Sequence, residues 1–232
     1  MTRTALITGA SRGIGRATAL KLARSSQFDS IALVARSSDD FSETIEEVRA
    51  AFTGKVYAYA VDLSDRSAVI DVARRAYTDV GGVSVLVNNA GYTNPVAIHQ
   101  IEFDDFERTM AVNLYAPFTL IQELLRRGNT FETIVNVAST AGIKGRSGWL
   151  TYSASKAAVI NMSDVLREEL SIYGTRVVCI SPGRTATDLR VRLAPEEDPS
   201  SIMQPEHVAR VIDVMLQPVG EFIDSENLVV RQ

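Results

Sequence analysis

Seven short apolar runs punctuate this chain of 232 residues, and they limit its fold more than any other feature. They read TALIT (4–8), SIALVA (30–35), KVYAYAV (55–61), VSVLVN (83–88), TIVNVA (133–138), RVVCIS (176–181) and NLVV (227–230). Such near-continuous apolar strands suit a parallel sheet that is buried on both faces. Most gaps between them hold segments of helical period, at 14–25, 41–52, 66–80, 104–127, 152–172 and 205–216. Pro205 suits the first turn of the last of these. Strand and helix in alternation predict an α/β fold, a doubly wound and mainly parallel seven-stranded sheet with helices on both faces, forming one domain over 1–232. Ligands of such sheets bind beyond the carboxyl ends of the strands. The stretch 184–204 is the least periodic, with two prolines and a charged cluster. It is expected to be a short excursion after a strand that serves as a substrate loop.

Composition removes several classes of function. Lys and Arg number 24 and Asp and Glu 28, a net charge of −4, so no basic excess points to nucleic acid or to a membrane surface. No apolar run approaches the roughly 20 residues that span a bilayer. The N-terminus lacks the pattern of a signal peptide, and the expected location is cytoplasmic. The single cysteine, Cys179, lies in an apolar strand and is expected to be buried there. One cysteine and two histidines, His99 and His207, offer no zinc constellation, and no metal is expected.

The first strand runs into TGASRGIG and then a helix, with Gly9, Gly13 and Gly15 in the turn. Glycines there allow positive φ and close approach of a diphosphate, and the helix start offers free N–H groups. The spacing differs from the G-x-G-x-x-G fingerprint. A cofactor with a free ribose 2′-hydroxyl calls for Asp or Glu at the end of the second strand. The chain has Arg36 there instead, with Asp39 and Asp40 later and Arg12 inside the glycine turn. Guanidinium groups suit a 2′-phosphate, so NADP(H) is expected in preference to NAD(H). Asp62 either accepts from an adenine amino group or caps the helix near 65–67. NNAG (88–91) closes the fourth strand, either lining a cofactor or tying down a turn.

Ser139 ends the fifth run, and Tyr152 and Lys156 follow, one helical turn apart on a shared face. A phenol titrates at about 10, too high for a useful base at neutral pH. An ammonium about 4 Å away, at an effective dielectric near 20, contributes about 4 kcal/mol, enough to lower that value by up to roughly 3 units. The pair is therefore expected to make Tyr152 an acid/base catalyst. Ser139 is placed to donate to an alkoxide as it develops. Pro117 lacks an N–H, which leaves the carbonyl of Asn113 without its helical donor and open to a water or a lysine. Trp149 precedes Tyr152 by three residues and is read either as a pocket wall or as ordinary packing.

Taken together, TGASRGIG, DL at 62–63, NNAG, Asn113 in VNL, Ser139, YSASK (152–156) and PG at 182–183 resemble the classical short-chain dehydrogenases/reductases, in order and in spacing, over nearly the whole chain. That resemblance implies a Rossmann-type fold and a catalytic tetrad of Asn113, Ser139, Tyr152 and Lys156. Tyr152 would move the proton and Ser139 orient the carbonyl. Lys156 would bind the nicotinamide ribose and lower the tyrosine pKa, and Asn113 would hold a relay water through its main-chain carbonyl. The expected cofactor contacts are Gly9, Ser11, Arg12, Gly13, Ile14 and Gly15, then Arg36, Asp62 and Leu63, then Asn89, Ala90 and Gly91, with Tyr152, Lys156, Pro182, Gly183, Thr185 and Thr187. Thr185 stands where the family usually has Val or Ile. The implied activity is NADP(H)-dependent reduction of a ketone or aldehyde, or the reverse, as in carbonyl and 3-oxoacyl reductases. Compatible small-molecule substrates run from 3-oxoacyl thioesters and small ketones to sugars, steroids and pterins. A non-catalytic NADP-binding sensor or scaffold is the alternative. A homodimer or homotetramer through 104–127 and 152–172 is implied as well.

Overall fold

The computed structural model describes residues 2–223 and 226–232. The strands are β1 (Thr4–Thr8), β2 (Ser30–Ala35), β3 (Lys55–Ala60), β4 (Val85–Asn88), β5 (Thr133–Val137), β6 (Arg176–Pro182) and β7 (Leu228–Val230). They form one parallel sheet in the order β3-β2-β1-β4-β5-β6-β7. The order reverses between β1 and β4, and the crevice opens there at the carboxyl ends of the strands.

The unbroken apolar character of the strands has a direct cause. Alternate residues enter two separate cores. Ala5, Ile7, Ile31, Leu33, Val85, Val87, Val178 and Ile180 belong to one. Leu6, Ala32, Val34, Leu86, Ile134 and Val177 belong to the other. The first core is closed by α1 (Gly13–Ala23), α2 (Asp39–Ala51) and a C-terminal helix, Pro205–Met215, through Leu22, Val48, Ile212 and Met215. The second is closed by α3 (Arg66–Val80) and by two helices later in the chain, through Val72, Leu120, Leu124 and Leu170. Each fully buried Leu or Ile stabilises the fold by about 1.5–3 kcal/mol relative to exposure.

The segment expected as one helix at 104–127 is three pieces: α4 (Phe103–Met110), a π-helical turn (Ala111–Tyr115) and α5 (Ala116–Arg126). In the wide turn the Ala116 N–H donates to the Ala111 carbonyl, five residues back. Pro117 falls in the first turn of α5, where its missing N–H disturbs little. The proline thus coincides with a local change of helix type rather than a simple kink. After β5 come α6 (Thr140–Ile143) and α7 (Leu150–Ser171).

The excursion at 184–204 is more ordered than its lack of periodicity suggested. It contains α8 (Asp188–Leu193) and a 3₁₀ turn at Pro199–Ser201. The Thr187 side chain caps α8 by accepting from the Arg190 N–H. Six residues are too few to display a helical period. The C-terminal helix at Pro205–Met215 is α9. Among the described residues, no helix is long and apolar enough to cross a membrane.

Candidate active site

A cleft of about 390 Å³ runs across the carboxyl ends of the strands. Every residue expected to contact a cofactor lines it except Gly15, and Ser139 lines it too. Gly15 lies just beneath, where an added Cβ would collide with the Gly9 carbonyl and the Asn89 amide. Gly9 itself sits at φ +66°, and a Cβ there would come within 2.8 Å of Ala90 Cα. The glycines therefore serve close packing between the turn and the NNAG loop. Thr8 joins the same two segments, its Oγ1 accepting from the Asn89 and Ala90 N–H groups at 3.0 and 3.1 Å. Asn89 donates its side-chain amide to the Thr8 carbonyl at 2.9 Å.

A dinucleotide suits this end of the cleft. The N-terminus of α1 has no side-chain cap and no acidic residue in its first turn, which leaves N–H groups and positive dipole for a diphosphate. Arg36 is exposed just past β2, with no carboxylate in the place of the usual ribose acceptor. Arg12 is engaged differently. Its guanidinium meets Asp188 of α8 at 2.5 Å, so it bridges the glycine turn and the excursion. Both partners are half exposed, and such a pair contributes only about 0.2–1 kcal/mol, which a phosphate can displace. The helix near 65–67 is capped by Asp65, which accepts from the Ser67 and Ala68 N–H groups. Asp62 is therefore released from capping. It accepts from Ser64, and these bonds hold its carboxyl below the usual value despite some burial.

The chemical groups converge where β5 and α7 meet. Ser139 follows β5 and caps α6, its Oγ accepting from the Ala141 N–H at 3.1 Å. That occupies a lone pair and leaves its proton to donate. Tyr152 and Lys156 are 6% and 4% exposed. The Lys156 ammonium donates to the Val137 carbonyl at 2.7 Å and stands 5.9 Å from the centroid of the Tyr152 ring.

This geometry corrects the expected titration of Tyr152. Burial pushes the phenol pKa up, and hydrogen bonding with Ser139 and the charge of Arg190 only partly pull it back. The ammonium is committed to a carbonyl. The dehydration that would strengthen its field also disfavours the phenolate. Tyr152 is thus a neutral acid in the protein alone. Burial lowers Lys156 to about 8.

A stability prediction follows from Lys156. Between its folded value of about 8 and its unfolded value of 10.5 the unfolded chain binds more protons, so stability rises with pH. Relative to Lys156→Met, the native protein should gain up to roughly 2 kcal/mol between pH of about 8 and 10, a difference from which the tyrosine titrations common to both proteins largely cancel. Urea unfolding of the two proteins across that window measures it, and a flat difference would remove the assignment.

Asn113 is not in the cleft wall. It is buried behind it, with Oδ1 accepting from the Tyr92 N–H at 2.7 Å. Its Nδ2 donates to the Tyr92 carbonyl at 3.0 Å and to Ser155 Oγ at 2.9 Å. Ser155 in turn donates to the Tyr152 carbonyl at 2.8 Å. The side chain therefore fixes the loop after β4 to the first turns of α7. Beside it a separate cavity of about 10 Å³ is bounded by Asn88, Asn113, Pro117 and Lys156. Asn88 Oδ1 is buried there without a partner. Such a space and polarity suit one water.

Trp149 lines the cleft as the residue before α7, with the Arg146 and Arg190 guanidiniums each 5.4 Å from its ring. Arg190 is fixed by Glu197, at 2.5 and 2.8 Å. Residue spacing gave no sign of Arg190, because α8 brings it from 38 positions beyond Tyr152. Ser155 was discoverable, since it lies inside YSASK one turn from Tyr152. Cys179 is fully buried, as expected. Neither histidine reaches the cleft. His207 accepts from the Gln204 N–H at the start of α9, and His99 is exposed in a 3₁₀ turn.

Comparison with known proteins bears on the fold and the family. A family model described as short chain dehydrogenase matches residues 3–198. The chain is 30% identical to the 3-oxoacyl-[acyl-carrier-protein] reductase FabG of Thermotoga maritima, over 95% of this chain and 93% of the relative. A blue fluorescent protein from a metagenomic library, solved in complex with NADPH, superposes with a TM-score of 0.87 at 28% identity, over 99% of this chain and 96% of the other. A xylitol dehydrogenase bound to NAD+ superposes with a TM-score of 0.85 at 26% identity, over 99% and 97%.

Proposed function

We propose that this chain, which belongs to the short-chain dehydrogenase family, is an NADP(H)-dependent reductase that converts a ketone or aldehyde to an alcohol. The observation that carries the reading is Tyr152, a buried neutral phenol at the cleft wall within hydrogen-bonding influence of Ser139. The glycine turn, the uncapped start of α1, Arg36 and the 182–187 segment would hold the dinucleotide. A bound nicotinamide supplies or accepts the hydride.

The chain's own residues supply the rest. Ser139 donates to the carbonyl oxygen and polarises it. Tyr152 gives its proton to that oxygen as negative charge develops. A phenol whose pKa is raised resists ionisation on its own, so its proton leaves only when a strong base, the nascent alkoxide, is present. Lys156, charged at neutral pH because its value of about 8 lies above it, stabilises the phenolate that remains. Reprotonation runs past Lys156 to the small cavity, where the Asn113 main chain holds a relay water. The cavity beside both residues supports this path.

The test is NADPH depletion by the purified protein over a panel of carbonyl compounds that includes 3-oxo thioesters. NADPH consumption that requires the carbonyl is expected; none across the panel would remove the reading. Phe103, Tyr115 and Phe118, all exposed around α4 and α5, support the dimer or tetramer, and light scattering of the purified chain should give two or four subunits.

A further inference from the structure

The cleft is far more basic than the chain that forms it. Seven arginines and Lys156 line it against two carboxylates, Asp62 and Asp188, while the whole chain carries −4. Partners neutralise part of this excess. Asp188 holds Arg12, Asp62 faces Arg108 at 3.9 Å, and Glu197 is shared by Arg184 and Arg190. Arg36 belongs to the cofactor end. Arg146 and Arg192 are left, and among the described residues neither forms an ion pair.

Both face the part of the cleft that holds the proton donor. Arg146 lies over the ring of Trp149, three residues before Tyr152. Arg192 lines the cleft from α8, and its charge acts on the Tyr92 phenol, whose pKa burial and Asp105 raise on balance. The Trp149 ring orders the Arg146 guanidinium without cancelling its charge. Arg190, fixed between Glu197 and Trp149, adds positive potential near Tyr152. Like charges crowded into a concave wall repel one another, and the field they create is focused inward. A ligand that brings negative charge relieves that repulsion, and a neutral carbonyl compound does not.

We infer that the carbonyl substrate carries an oxyanion, a carboxylate or a phosphate, which Arg146 and Arg192 bind on the Trp149 side of the cleft. This rests on the reductase reading. The anion orients the substrate with its carbonyl toward Ser139 and Tyr152 and its charged end toward solvent, where a small oxo acid or the phosphates of a carrier thioester both fit.

Two matched pairs test it. Acetoacetate against methyl acetoacetate isolates a carboxylate, and acetoacetyl-CoA against its N-acetylcysteamine thioester isolates carrier phosphates. The charged member of at least one pair should show kcat/KM higher by about fivefold or more, mainly through KM, equivalent to the 1 kcal/mol scale of a charge contact. Which pair does so identifies the source. The advantage should fall toward unity in the Arg146→Ala/Arg192→Ala double variant and with added NaCl. Ratios below about fivefold in both pairs, or an advantage that survives the double variant, would overturn the inference while leaving the reductase reading intact. A matching rise in the Kd for NADPH, read by fluorescence titration of the double variant, would assign the arginines to the cofactor and also overturn it. No NADPH oxidation with any of the four compounds, while neutral carbonyls of the wider panel are reduced, would overturn the inference alone; none across the whole panel, by protein that binds NADPH, would overturn both readings.

Discussion

Tyr152→Phe should lower kcat by about three orders of magnitude, within the range for loss of a positioned general acid, while NADPH affinity stays near that of the native protein. The hydroxyl is the only group removed. The ring remains in its buried site at the start of α7, so packing is kept. Without the phenol, the nearest protic groups are the Ser139 hydroxyl and the Lys156 ammonium. Ser139 is a far weaker acid than a phenol, and the ammonium is bound to the Val137 carbonyl at 2.7 Å. Neither replaces Tyr152 without rearrangement. The measurement is single-turnover NADPH oxidation, with cofactor binding followed by fluorescence. A variant that keeps more than about a tenth of the native rate would show that the proton comes from elsewhere, since general acids usually contribute at least 10²-fold.

The fold was readable because a parallel sheet buried on both sides leaves a plain mark. Ala5, Leu6 and Ile7 enter different cores on successive positions, so the strand is apolar throughout. The cleft residues were readable for a related reason. The glycines, Thr185 and Thr187 sit at strand ends and turns, where chain order maps directly onto the crevice. What escaped depends on contacts between distant segments. The π-helical turn at Ala111–Tyr115 needs hydrogen bonds five residues apart that no apolar period reports. Helix α8 is too short to show a period, and it delivers Arg190 to Tyr152 and Asp188 to Arg12.

The titration of Tyr152 shows the same limit more sharply. Residues 152 and 156 share a helix face, so an attractive interaction was legible from spacing. Neither titration carries its mark: the phenol answers to burial, Ser139 and Arg190, the amine to burial and Cys179, and burial depends on what covers the pair. At 6% and 4% exposure burial prevails, and it raises the phenol and lowers the amine together. The tyrosine is consequently suited to hold its proton until a substrate alkoxide takes it, rather than to ionise beforehand. Asn113 is a parallel case. Its place in VNL suggested a main-chain role, and its side chain proves to brace Tyr92 and Ser155.

Arg36→Asp should reverse the cofactor preference, with a shift of about two orders of magnitude in the ratio of Kd values for NADPH and NADH. Charge-assisted hydrogen bonds contribute about 1.5–3 kcal/mol, one to two decades of affinity, and the replacement removes them from a 2′-phosphate. A carboxylate at that position also repels the phosphate, while it can accept from a free ribose 2′-hydroxyl. Arg36 carries this effect rather than Arg12, because Arg12 is already paired with Asp188 whereas Arg36 makes no ion pair among the described residues. Arg12→Ala should accordingly change the ratio far less, and lower affinity for both cofactors through the loosened contact between the glycine turn and α8. Family relatives bind either dinucleotide, as the complexes with NADPH and NAD+ illustrate, so fold alone does not choose between them. Titrating both cofactors into Arg36→Asp and Arg12→Ala by fluorescence separates the two arginines. A ratio left unchanged by Arg36→Asp would take the discrimination away from the end of β2.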